Sequence, residues 1–438
     1  MRILFVWPNR EDFTCKPIGI SLLSAILKRE GHDVELFDTS FMDLGGKDYN
    51  EELTKHGYFK PVDWGVDVGK AKVDLGEELE RTVSAFKPDV LMMSVLNDEV
   101  ALANRIIIDL QDITPAHIIV GNKGAETMMN TVTGGGVSFF VGEAINTICD
   151  FPLFRYERII HSSGYFTDLD SLPHLDWSIF DDRHFLKAFD GKVYRGGDHM
   201  IGWGCVGNCA YCINEHWREL HGGMKGCMRR YGVERITDEL QALSYMHNLE
   251  FWKFHDEDFL LKPLPYFSAL VEQYILKVDL PFTCMANAKS VTPERVKLLK
   301  KMGCVSVSMG VEAGNPIMRQ ILRRRETPGQ IVAAAGMLQD AGIRVSAFNM
   351  IGLPFETSQT IEATIALNRE AGIKHPNVSL FMPLEGTKLY DLSVAYGFYK
   401  PGQEIRTDRP SLKLPGITEE KLMWYYHNFH DLVTKGSV

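Results

Sequence analysis

Between Gly202 and Cys212 the sequence reads Gly-Trp-Gly-Cys205-Val-Gly-Asn-Cys209-Ala-Tyr-Cys212, three thiols in one short loop with the spacing Cys-x3-Cys-x2-Cys. The chain has to be arranged around this loop, because three converging thiolates are a metal site. A structural zinc takes four protein ligands, usually from two separated Cys-x2-Cys pairs, and no second pair follows here. A cubic iron-sulfur cluster also takes four ligands, so three cysteines leave one iron open to bind something else. A zinc loop and a chance grouping of buried thiols remain the bland alternatives.

The other five cysteines (Cys15, Cys149, Cys227, Cys284, Cys304) are scattered and do not read as a disulfide framework, so a cytoplasmic location is expected. The apolar start Met1–Trp7 is too short for a signal or a membrane span, and no other run approaches the length of one. With 438 residues, 45% of them hydrophobic, the chain is long enough for two domains and reads as a multi-domain enzyme. A net charge of -10 argues against a nucleic-acid partner. The run Arg323-Arg324-Arg325 reads as a solvated helix end, or as a phosphate or carboxylate contact at a pocket rim.

Residues 1–150 alternate strands and helices. Strands are expected at Arg2–Trp7, Asp33–Phe37, Asp89–Ser94, His117–Val120 and Ser138–Val141. The first helix carries Ile18, Leu22 and Ile26 on one face, and others run near Glu77–Phe86 and from about Asp98. That pace implies an α/β, Rossmann-like, doubly wound parallel sheet, whose ligand crevice lies beyond the carboxyl ends of the strands. Those ends carry Pro8 and Asn9, Ser94 to Asn97 with Leu96, Gly121 and Asn122, and Gly142 and Glu143. There is no Gly-x-Gly-x-x-Gly fingerprint and no P-loop, which disfavours a nicotinamide or a nucleoside triphosphate. The histidines His32, His56 and His117 read as exposed or core-satisfied. Residues 38–76, with Gly45-Gly46, Tyr58-Phe59 and Trp64, form a long connection of the kind that is usually functional.

Residues 151–195 read as a linker. In 196–400 strands recur at Glu250–His255, Phe282–Met285, Val305–Met309, Val345–Met350 and Val378–Phe381 with helices between them, which suggests a partial (β/α)6 TIM-type barrel. Residues 401–438 close the chain as a small helical segment. Its helix Leu422–Leu432 carries Trp424, Tyr425, Tyr426 and Phe429 and reads as a cap on the core.

The cysteine loop, with the aromatic Tyr211 before its third cysteine, resembles the radical S-adenosylmethionine (SAM) superfamily. That resemblance implies a 4Fe-4S cluster held by Cys205, Cys209 and Cys212. In that family SAM is chelated at the open iron, and one electron cleaves it to a 5′-deoxyadenosyl radical. Later words agree in order. Asp256, Glu257 and Asp258 stand where relatives receive the SAM amino group. Ser308-Met-Gly-Val-Glu312-Ala-Gly314 is similar to the Ser-x-Gly-x-Glu-Ser-Gly element, with Ala313 replacing the serine. Met350-Ile-Gly352-Leu-Pro354-Phe-Glu356-Thr357 resembles the turn on the adenine side, and Pro383 to Thr387 resembles the final Pro-x-x-Gly-Thr turn.

The first domain resembles the cobalamin-binding domain found ahead of many radical SAM enzymes. Its words appear as Pro17-Ile-Gly-Ile20, Gly121-Asn122-Lys123 and Gly142-Glu143-Ala144, the last two having drifted. The Asp-x-His-x-x-Gly motif that supplies a histidine to cobalt is absent, so the cobalamin is expected His-off, its lower face covered by Leu96 and Asn97.

Together the two resemblances imply a class B methyltransferase that moves a methyl group from SAM through cobalamin to an unactivated carbon or phosphorus of a small-molecule substrate. The alternatives are a cyclase, ring-rearranging or oxidising enzyme in which cobalamin only exchanges electrons, and an iron-sulfur SAM-binding sensor. An electron donor such as flavodoxin or ferredoxin, an oxygen-sensitive cluster and a monomeric chain complete the expectation.

Overall fold

The computed structural model of the chain describes residues 1–10, 13–45, 54–55, 61–129, 132, 135–151, 157–162, 164–403, 405 and 408–436. They divide into two units. The first takes the described residues of 1–51, 62–193 and 219–226, and the second takes those of 194–218 and 227–438 together with 54–55 and 61. His56, Gly46, Tyr58 and Phe59 lie outside the described residues.

Arg2–Trp7 forms β1, and Ile3, Leu4, Phe5 and Val6 are all buried, as expected where both faces of a sheet are covered. After it come α1 (Ile18–Arg29), β2 (Asp33–Asp38), α2 (Leu75–Phe86), β3 (Val90–Ser94) and α3 (Val100–Ile113). The unit continues through β4 (His117–Gly121), α4 (Gly124–Met129), β5 (Val137–Val141) and β6 (Ile159–His161). All six strands pair in parallel in the order β2-β1-β3-β4-β5-β6. One core joins Leu4, Val6, Leu91 and Val120 to Leu79 of α2, Ile106 of α3 and Met128 of α4. The order in which strands are added reverses between β1 and β3, so the crevice opens beyond Trp7 and Ser94.

Residues 157–193 add more to this unit than a tether. They supply β6, and His184 is fully buried, with Nδ1 2.6 Å from the Phe13 carbonyl and Nε2 2.6 Å from Asp38 Oδ2. The Ser24 hydroxyl donates to Asp176 at 2.6 Å. In the long connection, Trp64 packs edge-on against Phe13 at 5.1 Å.

A short strand, β7 (Leu186–Phe189), leads into β8 (Lys192–His199). The second unit then runs through β9 (Gly202–Trp203), α5 (Ile213–Leu220), β10 (Arg229–Arg230), α6 (Val233–Met246), β11 (Phe251–Phe254), α7 (Leu264–Lys277) and β12 (Phe282–Ala286). It is completed by α8 (Pro293–Lys301), β13 (Cys304–Glu312), α9 (Pro316–Ile321), α10 (Pro328–Asp340), β14 (Arg344–Ile351), α11 (Ser358–Glu370), β15 (His375–Leu380), α12 (Lys388–Ala395) and α13 (Glu419–Thr434). Strands β8, β11, β12, β13, β14 and β15 are parallel neighbours in that order, a six-stranded half-barrel. The helix α13 buries Leu422, Tyr425 and Phe429 with Ile351, Ile361 and Leu380, whereas Trp424 stays 39% exposed. No helix among the described residues is long and apolar enough to cross a membrane.

Candidate active site

The cysteine loop follows β8 and β9 and ends at α5, at the carboxyl end of the first barrel strand. Its centre is pinned on both sides by backbone bonds. The Ala210 N–H donates to the Leu322 carbonyl at 3.0 Å, and the Ala210 carbonyl accepts from the Leu389 N–H at 2.8 Å. The Arg218 guanidinium donates to the Cys205 carbonyl at 2.8 Å. Gly204 has φ of +95°, and a Cβ there would overlap the Cys227 backbone, so no other residue fits.

Two of the three sulfurs already receive donors. The Gly207 N–H donates to Cys205 Sγ at 3.2 Å, and Arg324 Nη1 lies 3.8 Å from Cys209 Sγ. Such donors suit thiolates. Asn208 Oδ1, inside the loop, is buried without a partner.

Beside the loop lies a buried polar network that the sequence does not announce. Arg324, with only 7% of its side chain exposed, donates to the Tyr211 hydroxyl at 3.2 Å and to the Gly310 carbonyl at 2.8 Å, and pairs with Glu326. Arg319 spans the Val311 and Ala313 carbonyls at 2.9 and 2.7 Å. Asn287 donates to Glu326 at 2.9 Å. Glu312 ends β13 with φ of +65°, a conformation that costs a non-glycine residue roughly 1–3 kcal/mol and tends to mark functional sites. Burial pushes the Glu312 carboxyl up, opposed by the Arg324 charge. Burial likewise pushes the Tyr211 hydroxyl well above its ordinary range. In the run read as a solvated helix end, Arg323 and Arg325 are exposed, Arg323 facing Glu215 at 3.4 Å, while Arg324 turns inward. Three adjacent arginines give no signal of which one is buried. Glu326, two residues on, is the available hint.

The acidic triplet divides by role. Asp256 is 2% exposed and fully engaged, accepting from the Ile201 and Gly202 N–H groups at 2.9 and 2.7 Å and from Lys262 at 2.6 Å. It therefore fixes the strand entering the cysteine loop. Glu257 is exposed. Asp258 accepts from the Leu260 N–H at 3.1 Å and from the Ser290 hydroxyl, and burial raises its pKa to about 6. All three line an open cleft of about 350 Å³ with Gly202, Trp203 and Arg229.

Ser308 and Gly310 share one face of β13, and Met350 lies on β14; all three are only partly covered. Gly352 has φ of +80°, and its N–H, with that of Leu353, donates to Glu356 Oε2. Glu356 is 1% exposed, its Oε1 has no partner, and burial pushes its pKa up to about 8. A Cβ on Gly386 would strike the His216 ring, which holds the last turn against α5.

In the first unit the expected residues gather at the carboxyl ends of the strands. Asn122 donates to the Ser94 hydroxyl at 3.1 Å. Leu96 is 39% exposed, and its N–H donates to the buried Glu99 carboxylate at 2.6 Å, a loop cap absent from the sequence-based expectations. Asn97 Oδ1 and, on α3, Asn104 Oδ1 are buried without partners. Pro8 and Asn9 are buried, and Asn9 donates to Ser40 at 2.8 Å, so it ties β1 to the segment after β2. Gly142 has φ of +99°, and the Glu143 N–H donates to His221 Nε2 at 3.2 Å. His221 stacks on Tyr165 at 4.6 Å; it belongs to this unit although it follows the cysteine loop in sequence. The orphaned amide oxygens are acceptors facing no donor, which suits a corrin rimmed by amide N–H groups.

Residues 201–367 match the model of the Radical SAM superfamily. Over 96% of its length the chain is 25% identical to an uncharacterized methyltransferase of Pyrococcus horikoshii, covering 90% of that protein. It is 22% identical to the anaerobic magnesium-protoporphyrin IX monomethyl ester cyclase of Rubrivivax gelatinosus, across 98% of this chain and 77% of the cyclase. The structure of the radical SAM methyltransferase TsrM from Kitasatospora setae, with cobalamin and a [4Fe-4S] cluster bound, matches 95% of this chain and 83% of that one with a TM-score of 0.62 at 15% identity.

Proposed function

We propose that the protein is a cobalamin-dependent radical SAM methyltransferase acting on an unactivated carbon or phosphorus of a small-molecule substrate. The observation that carries this reading is the cysteine loop at the barrel mouth, two of whose three sulfurs are already met by N–H donors. When bound, the cluster supplies the electron that cleaves SAM and cobalamin carries the methyl group.

The chain's own groups do the rest. Cys205, Cys209 and Cys212 would hold the cluster, three protein ligands for a group that takes four, which would leave room for SAM. Glu257 and Asp258 stand in the adjoining cleft to receive the ammonium. Asp256 holds the loop, since its oxygens are taken by Ile201, Gly202 and Lys262. Tyr211, Ser308, Glu312, Met350 and Gly352 line the SAM side of the half-barrel. In the first unit, Asn97 would accept from corrin amides, with Pro8, Asn9, Ser94, Leu96, Gly121, Asn122, Gly142 and Glu143 shaping the crevice, and the cobalamin would be bound His-off. The enzyme works as a cytoplasmic, oxygen-sensitive monomer reduced by flavodoxin or ferredoxin.

A second reading, radical ring formation with cobalamin as an electron carrier, is supported by the near full-length match to the cyclase. One experiment separates the readings. The protein is reconstituted anaerobically with iron, sulfide and hydroxocobalamin, gel-filtered, and incubated with SAM and dithionite. Release of both S-adenosylhomocysteine and 5′-deoxyadenosine supports methyl transfer, and deoxyadenosine alone favours the cyclase reading. If neither forms, or if Ala at Cys205, Cys209 and Cys212 leaves cleavage intact, the radical SAM chemistry proposed for this loop is wrong.

A further inference from the structure

We infer that Arg324 is a positioning residue for the cluster rather than a surface charge: it donates to the Cys209 sulfur and raises the potential at which the cluster accepts its electron. The inference rests on the cysteine loop holding a cluster, as proposed above.

The geometry is specific. Nη1 lies 3.8 Å from Cys209 Sγ and 3.2 Å from the Tyr211 hydroxyl, so one nitrogen serves the ligand and the residue two places on. Nη2 is fixed by the Gly310 carbonyl at 2.8 Å and by Glu326. Glu326 is held in turn by Asn287 at 2.9 Å and lies 3.9 Å from Arg319. The backbone delivers the guanidinium as firmly. The Arg324 N–H donates to the Arg319 carbonyl at 2.9 Å, and Leu322, two residues earlier, bonds the Ala210 N–H within the loop. Loop and arginine are thus parts of one rigid piece.

The physics fixes the sign. A reduced cluster carries one more negative charge than the oxidised one. A buried cation and an N–H donor at a ligand sulfur favour the reduced form and raise the potential. Screening is weak, because Arg324 is almost wholly buried. Only guanidinium geometry can meet Cys209, Tyr211, Gly310 and Glu326 together, so Lys is not an equivalent here.

The test is an EPR-monitored redox titration of the reconstituted protein in the absence of SAM. Removing Arg324 alone would strand Glu326 as a buried charge, so the main variant is the pair Arg324→Met with Glu326→Gln. At a fixed solution potential we expect its reduced-to-oxidised ratio to fall about tenfold, equivalent to about 59 mV for a one-electron couple. Glu326→Gln alone, which removes only a negative charge, should not lower the ratio. Arg324→Lys should fall in between. If the double variant holds its full iron and sulfide and titrates with the wild type, the inference is wrong while the cluster stands. It is equally wrong if only the affinity for SAM changes, since the guanidinium then acts on SAM and not on sulfur. A wild type that assembles no cluster overturns both.

Discussion

Glu356 has one carboxyl oxygen on the Gly352 and Leu353 N–H groups and the other buried without a partner. Its folded pKa of about 8 stands above the 4.5 of an ordinary glutamate, so the folded chain keeps a proton that the unfolded chain loses. Stability attached to this group is therefore present below about pH 4.5 and drains away as pH rises towards 8, by up to ~1.4 kcal/mol per unit. Glu356→Gln keeps an oxygen for the two N–H groups and cannot ionise. Urea unfolding at pH 5.5, 6.5 and 7.5 should show the variant gaining on the wild type at each step; a constant difference would mean the carboxyl is already charged. Asp256 makes the opposite prediction. Its carboxylate is the counter-ion of buried Lys262 and the acceptor for two loop N–H groups. Asp256→Ala should cost about 3–5 kcal/mol of stability, seen as a drop in the urea midpoint. A variant of unchanged midpoint that only binds SAM less well would return Asp256 to the ligand role its sequence position suggests. The sequence showed where these carboxylates fall in the chain but not which have their lone pairs taken, because that depends on atoms far away along it.

Among elements, strands made of unbroken apolar runs were legible, as Arg2–Trp7 shows. Two others were not. Lys192–His199, the first barrel strand, carries Arg195, Gly196, Gly197, Asp198 and His199, so it lacks both an apolar run and an alternation. Ile159–His161 is only three residues long, too short for any periodicity to register. Motif glycines were visible as letters, and the structure supplies their reasons. Gly314 lets β13 meet α11, since a Cβ would overlap the Ala363 carbonyl and come within 2.7 Å of the Thr364 nitrogen. Gly314→Ala should therefore destabilise by roughly 1–3 kcal/mol through forced displacement of α11. Thermal unfolding checks this, and an unshifted midpoint would show that the two elements separate freely. At the end of the next motif, Thr357 caps α11 in a box with Thr360. Thr357→Ala should cost about 1 kcal/mol, measured in the same way.

For the molecule as a whole, the two-part α/β plan was readable because helix and strand periods alternate steadily along both halves. The first unit's crevice was readable only as strand ends, and its unsatisfied acceptors Asn97 and Asn104 emerge only when the chain is folded. If those acceptors meet a corrin, ligand linkage should appear: hydroxocobalamin at about 100 times its Kd should stabilise the protein by about 2.7 kcal/mol. Asn97→Ala should shift the concentration needed, and an unfolding midpoint indifferent to hydroxocobalamin would remove the corrin from this crevice. The pairing of His221 with the Gly142–Glu143 turn has a further consequence. Residues 219–226 belong to the first unit although the cysteine loop precedes them in the chain. During synthesis the first unit cannot be finished when its last strand emerges; it waits until residue 226 has left the ribosome, by which point all three cysteines have been made. The nascent protein thus carries an incomplete first unit and an unfilled cysteine loop at the same time, which makes that interval the one in which it most needs protection from oxygen and from aggregation.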